Sequence, residues 1–297
     1  MSTIEQYLKP EVIKRIAGLD LKARFIVQGF ISGLHASPYH GFSVEFSEHR
    51  KYELGDELNT IDWNVYGRTD RFFVKKYRAE TNTQCHLVVD VSPSMGYGYK
   101  GMTKLEYGIC IAAALGFMMI RQQDPVGLVT FDERIRTYVP PKCKRGHLAV
   151  ILGQLTKAYP SAQTNIAGAL NDVAGMLRRR GLVILISDLL AEPQSVLPAL
   201  SHLRFRQHDV IVFHILDESE VKLPFEDMTS FQDPETGSRV VADPHSVRKA
   251  YMARLNEFIE SYRTVCNDNK IDYVQLDTSM PFDKALMSFL MMRRTRF

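Results

Sequence analysis

The run CHLVVDVSPSM places a carboxylate, Asp90, at the end of an apolar stretch, and Ser92 and Ser94 follow at alternate positions. Alternate residues of an extended segment project to the same side, so both hydroxyls can face one point. A second apolar run, GLVILISDL, ends the same way on Asp188. Between the two, SAQTNIAGAL puts Thr164 just ahead of a helical pattern. Two carboxylates and three hydroxyls suit a hard divalent cation, because Mg2+ takes oxygen ligands at about 2.1 Å in octahedral geometry and tends to keep several waters. The carboxylates neutralise the ion, and the hydroxyls add oxygen without adding charge. An open position can then take a carboxylate from another protein, so that the metal bridges the two. Zinc or copper is poorly served. Cys85, Cys110, Cys143 and Cys266 lie far apart, and His40, His49, His86 and His147 have no ligand spacing. Thr164 has a rival role, since it or Asn165 can cap the helix that follows. Asp132, after VGLVTF, is a candidate acceptor for a metal-bound water. Lys104 reads as a residue at the start of a helix over 104–121.

From residue 84 onward, short apolar runs alternate with amphipathic stretches. QCHLVVD, DPVGLVTFD, GLVILISDL, HDVIVFHILD and IDYVQLDT read as strands, and IRTYVPP extends the second as a hairpin. LEYGICIAAALGFMMIRQ, HLAVILGQLTKAY, NIAGALNDVAGMLRR, VLPALSHLRFRQ, the long DPHSVRKAYMARLNEFIESYRTVCNDN and FDKALMSFLMMRR read as helices. Near-continuous apolar strands separated by helices predict an α/β fold, a doubly wound and mainly parallel sheet covered on both faces. Ligands of such sheets bind beyond the carboxyl ends of the strands, where Asp90 and Asp188 fall. Residues 1–80 differ in composition and are expected to form a small helical and β region packed on a main domain over 81–297. FSVEF and RFFVKKY there read as strands, and GDELNTIDW as a turn into a short helix. Arg50, Asp56, Glu57, Asp62 and Arg68 are expected to form an ion-pair network with Trp63 anchoring the join. The competing reading is a partner-docking surface.

The 45% apolar and 24% charged composition is that of an ordinary globular protein, not a disordered or fibrous one. The most apolar stretch, Gly108 to Ile120, is too short to span a bilayer, so no stable membrane insertion is expected. The first residues do not resemble a signal peptide, and the scattered cysteines fit a reducing compartment, so a cytoplasmic location is expected. A monomer is the default expectation for a solitary domain of this kind. Basic clusters occur at Lys142, Lys144 and Arg145, at Arg178 to Arg180, and at Arg293, Arg294 and Arg296. With a net charge of only +3 they read first as solvated loop and helix ends, and a nucleic-acid binder stays a secondary alternative. GYGYKGMTK has Met102 where a phosphate-binding loop needs lysine, so nucleotide energy would have to come from another protein. A metal-dependent hydrolase acting on a phosphate-like substrate is the main alternative, but no Ser-His-Asp frame accompanies the carboxylates, and a non-enzymatic role is expected.

Asp90-x-Ser92-x-Ser94 with Thr164 and Asp188 downstream resembles the metal-ion-dependent adhesion site of von Willebrand factor type A domains. The intervals of 74 residues to Thr164 and 24 more to Asp188 are compatible with it. The resemblance implies bound Mg2+ or Mn2+. A narrower one covers nearly the whole chain. EFSEHRKYELGDELNTIDWNVYGRTDRFFVKKYRAET resembles the signature of the bacterial DUF58 family, falling on Arg50, Gly55, Asp56, Asp62, Trp63 and Arg68 among others. Asn59 and Gly67 depart from it, where the pattern has arginine and alanine. The resemblance implies an adaptor or chaperone-like partner of a MoxR-type AAA+ ATPase, acting on a client protein not yet identified.

Overall fold

The computed structural model describes residues 9–36, 49–51, 73–75, 84–160 and 165–296. The chain forms two compact units, Met1–Ala36 together with Thr83–Phe297, and Ser37–Asn82. In the smaller unit, β1 (His49–Lys51) and β2 (Phe73–Lys75) pair antiparallel with Arg50 opposite Val74. FSVEF, GDELNTIDW and the positions Gly55, Asp56, Asp62, Trp63 and Arg68 lie outside the described residues, as does the side chain of Arg50.

The division does not fall at residue 80. The helices α1 (Pro10–Lys14) and α2 (Leu19–Ala36) belong with the larger unit. Ala23, Ile26, Val27 and Phe30 recur at helical spacing along α2 and are fully buried. That stripe needs an apolar cover, and the neighbouring helix α3 (Lys104–Arg121) provides it.

The larger unit is built on one six-stranded sheet. Its strands are β3 (Gln84–Asp90), β4 (Val126–Phe131), β5 (Ile135–Lys142), β6 (Gly181–Ser187), β7 (Asp209–Leu216) and β10 (Asp272–Asp277). They lie in the order β10-β7-β6-β3-β4-β5, all parallel except β5, which runs antiparallel to β4. Every residue of β4 and β6 is buried, as the uninterrupted apolar runs predict for strands covered on both faces. On one face, α5 (Ile166–Met176), α6 (Pro193–Phe205) and α8 (Pro244–Asp268) close a core with Val88, Val183, Leu185, Val210 and Val212. On the other lie α2, α3, α4 (Arg145–Thr156) and α9 (Phe282–Arg296). The short α7 (Glu218–Lys222) follows β7. The edge strand β5 carries Pro140 and Pro141, and its register shifts opposite Gly127.

A separate hairpin, β8 (Thr229–Gln232) and β9 (Arg239–Ala242), turns through Asp233–Gly237. The sequence reading assigned no strands to this stretch. Each strand has four residues and mixed polarity, too short to show a period.

The sheet meets α3 closely at Gly108. A Cβ there would sit 2.9 Å from Ile186 Cγ2 and 3.3 Å from Ile215 Cδ1. Gly108→Ala is expected to cost about 1–3 kcal/mol through overpacking. Gly116→Ala, whose nearest contact would be 3.4 Å, should be neutral or slightly stabilising because alanine is the better helix former. Urea midpoints of the two variants check the contrast, and equal midpoints would remove the close approach as the cause.

On β3, burial and then the charge of His208 push the His86 ring down to about 4. The unfolded chain therefore takes up a proton at mildly acidic pH before the folded one does. The stability term is complete above the unfolded value and is lost as pH falls toward the folded one. From this residue alone, about 2 kcal/mol should go between about pH 7 and about pH 4.5. Urea unfolding at the two pH values, repeated on His86→Leu, should show a shallower loss in the variant.

Candidate metal site

Strand β3 ends on Asp90, which has no exposed surface. Its Oδ1 accepts the Ser92 N–H at 2.9 Å, and its Oδ2 accepts the Ser187 hydroxyl at 2.6 Å. Ser187 is the last residue of the adjacent strand β6, so the two strand ends are stitched together through the carboxylate. The Ser187 oxygen also receives the Leu189 N–H at 2.9 Å. After β3 the chain stays extended at Ser92, then enters a 3-10 turn over Pro93–Gly96. This brings the Ser92 and Ser94 hydroxyls to 3.0 Å from each other, both buried. The Ser94 hydroxyl also lies near Asp188 and helps to hold that carboxyl in its charged form. The four residues Asp90, Ser92, Ser94 and Asp188 thus gather at one end of the sheet.

Asp188 sits at a sharp turn. The next residue, Leu189, is fully buried and has φ 51°, a left-handed conformation that a bulky non-glycine residue rarely adopts. The Tyr262 hydroxyl holds that turn, lying 3.2 Å from the carbonyls of both Leu189 and Ala191. Strain held in place at a carboxylate is the pattern of a functional turn.

Lys104 opens α3 as the sequence suggests, as the first residue inside the Thr103–Glu106 capping box, and the structure adds that it is only 1% exposed. Its ammonium lies 2.8 Å from Asp188 Oδ2 and 2.8 Å from Glu220 Oε1 on α7. Burial opposes the charge, yet Asp188 and Glu220 outweigh it and hold the ammonium above its ordinary range. Lys104 likewise holds the Asp188 carboxyl below the usual range despite its burial. Among the described residues Asp90 has no such cation. Burial, and then the charge of Asp188, push it up to about 7 against the Ser187 and Ser92 bonds.

With all groups ionised, Asp90, Asp188 and Glu220 against Lys104 leave a net charge of −2. Asp188 Oδ2 is buried and, its ion pair aside, receives no aligned hydrogen bond among the described residues. A divalent cation fits this arrangement. It would meet two carboxylates and two hydroxyls, all oxygen, and would relieve the charge on Asp90. The described residues contain no group of three or more His, Cys, Asp or Glu in metal-holding geometry, so the hydroxyls are essential to the set.

Thr164 lies outside the described residues. The competing role assigned to it is filled by Asn165, whose side chain accepts the Gly168 N–H at 2.9 Å and caps α5. Asp132 is fully buried at the end of β4, where the Val91 N–H donates to the Phe131 carbonyl at 2.8 Å. Its carboxylate accepts from the Arg134 N–H at 3.2 Å and from Arg136 Nε at 2.5 Å, which ties the β4–β5 turn.

Three residues of the cluster were not singled out from the sequence: Ser187, Glu220 and Lys104 in its buried role. For Lys104 there was a signal. A lysine in the first turn of a helix opposes the macrodipole, which favours acids there, so its presence asks for another use. The rim of the cluster is aromatic. The Tyr97 ring lies 5.8 Å from Lys104 Nζ, and its hydroxyl meets the Ser219 hydroxyl at 2.8 Å. A groove of about 550 Å³ between α6 and α8 includes Glu192, Leu197, Glu260 and Thr264 and is lined by none of the cluster's residues.

The chain is similar to a crystal structure of BatB from Bacteroides thetaiotaomicron, with 18% identity, 71% of this chain and 99% of that one covered, and a TM-score of 0.48. It is similar to the SpRpn10 VWA domain at 10% identity, 69% and 93% coverage, and a TM-score of 0.41. Among curated proteins, Uncharacterized protein Rv1480 of Mycobacterium tuberculosis is 28% identical over 231 residues, 77% of this chain and 72% of that protein. Uncharacterized protein Mb1516 of Mycobacterium bovis matches to the same extent. The family described as Protein of unknown function DUF58 matches residues 48–258, from before β1 into α8, and on that span the chain belongs to DUF58.

Proposed function

We propose that this protein is a divalent-cation-dependent interaction module of the von Willebrand factor type A kind, docking a partner through a carboxylate. The observation that carries the reading is the gathering of Asp90, Ser92, Ser94 and Asp188 at the carboxyl edge of the sheet with a net negative charge. Asp90 and Asp188 hold the ion, and Ser92 and Ser94 orient it. When bound, Mg2+ or Mn2+ supplies an electrophilic point for a partner's carboxylate. Lys104, itself anchored by Glu220, keeps Asp188 fixed and ionised, and Ser187 keeps Asp90 aimed at the same place. Thr164, between α4 and α5, is the proposed third hydroxyl.

Within this reading the partner is a MoxR-type AAA+ ATPase, and the chain acts as its adaptor or chaperone-like companion toward a client protein. The test is calorimetric titration of the purified protein with Mg2+ and Mn2+, followed by capture of a purified MoxR-type ATPase with and without chelator. One-to-one uptake of the ion and chelator-sensitive capture are expected. Capture that chelator leaves unchanged would overturn the metal bridge. Ion uptake without any capture would overturn the partner while leaving the site.

A further inference from the structure

Basic residues that lie far apart in the chain fall along one edge of the sheet, the edge opposite the metal site. Arg178, Arg179 and Arg180 immediately precede β6, and Arg206 lies three residues before β7. These mark the amino ends of parallel strands. Strand β5 runs the other way, so its carboxyl end returns to the same edge, where Lys142 stands opposite Val126, the first residue of β4. Lys144 follows it. All six side chains are exposed, and none pairs with a carboxylate among the described residues. Arg204, by contrast, is held by Asp209 at 3.0 Å. From β7 to β5 the edge spans four strand spacings, about 20 Å.

Phe205 stands beside these cations. It ends α6, adjoins Arg206, and is 83% exposed. Strands β6 and β7 are neighbours with Leu182 opposite Asp209, so the segments leading into them, Arg178–Arg180 and Phe205–Arg206, lie side by side on this edge. The sheet separates this edge from Asp90 and Asp188 by strands of six to eight residues, about 20–25 Å.

We propose that this basic edge is a peripheral docking surface for anionic lipid membranes, with Phe205 entering the headgroup boundary. A broad row of cations suits a planar sheet of lipid phosphates, each cation near such a surface strengthening binding about fivefold. Phe205 has no polar atom to offer a phosphate or a base edge. Its ring gains by leaving water, and an aromatic set among arginines is the composition of an interfacial contact. Docked this way, the protein would face its metal site away from the membrane.

The experiment is co-sedimentation of the whole chain with phosphatidylcholine vesicles, with or without about one-third phosphatidylglycerol, at low and high salt. Binding to the anionic vesicles only, weakened by salt, is expected. Arg178→Glu with Arg179→Glu and Arg180→Glu should reduce it at least tenfold. Phe205→Ser should reduce vesicle binding several-fold while leaving retention on heparin unchanged. A circular dichroism melt checks that each variant is folded, and Arg206→Glu stands in if the triple variant is not. Equal binding to neutral and anionic vesicles, or none to either, overturns the proposal. So does tighter binding to a duplex oligonucleotide that Phe205→Ser leaves unaffected, which would assign the edge to nucleic acid.

Discussion

Lys104→Met should destabilise the protein by about 3–5 kcal/mol, and magnesium should recover part of that loss. Lys104 is the cation that the described residues supply to the buried carboxylate of Asp188 and the partly buried one of Glu220, each 2.8 Å from its nitrogen. Methionine keeps most of the volume but leaves Asp188 facing the like charges of Glu220 and Asp90 with no cation between them. Removing one partner of a buried pair is costly because the other stays desolvated. In the wild type a divalent cation adds to a cluster already partly neutralised. In the variant it replaces the missing charge, so the rise in Tm with Mg2+ should be larger than for the wild type. Glu220→Gln in the Lys104→Met background should restore some stability, a coupling that a double-mutant cycle measures. A loss below about 1 kcal/mol would mean that the ammonium is not the main compensation for these carboxylates.

Asp90→Asn should do the opposite. Asparagine retains an oxygen for the Ser92 N–H, and its amide can turn toward the Ser187 oxygen, so the strand ends stay joined. It removes a buried charge that nothing among the nearby described cations balances, which is why the carboxyl is pushed up to about 7. The folded state without metal should therefore be as stable as wild type or slightly more so. Affinity for Mg2+ and Mn2+ should fall at least 100-fold, about 2.7 kcal/mol, because one of two anionic ligands is gone. Calorimetry and thermal melts on one preparation read both effects. Retained affinity would take Asp90 out of the ligand set, and a large loss of Tm would make it structural.

Much of this site was legible before the fold was known, for identifiable reasons. Asp90 and Asp188 end apolar runs, and a buried run that stops on a carboxylate marks a strand end at the ligand-binding edge. The antiparallel return of β5 was legible too, because IRTYVPP follows β4 after a short turn. The buried placement of Lys104 was not. Its ion pairs are to residues 84 and 116 positions away, and no local period encodes them. The shared edge of Lys142 and Arg178–Arg180 was hidden for a related reason. It depends on strand order and direction, which place β5 two strands from β6's neighbour β3. Helix α2 was grouped with the small region on composition alone, whereas in the structure it packs on α3 within the larger unit.

The prolines of β5 have a consequence for how the chain behaves in a crowded cell. An outermost strand offers a row of free amide hydrogens to any other unpaired strand it meets, including one from a newly made copy. Pro140 and Pro141 have no amide hydrogen, and they stand sixth and seventh of the strand's eight residues, so the row is broken toward its carboxyl end. A foreign strand could match only the part before them. The sheet is thereby protected from lengthening sideways into aggregates on that flank, at the cost of the irregular pairing opposite Gly127.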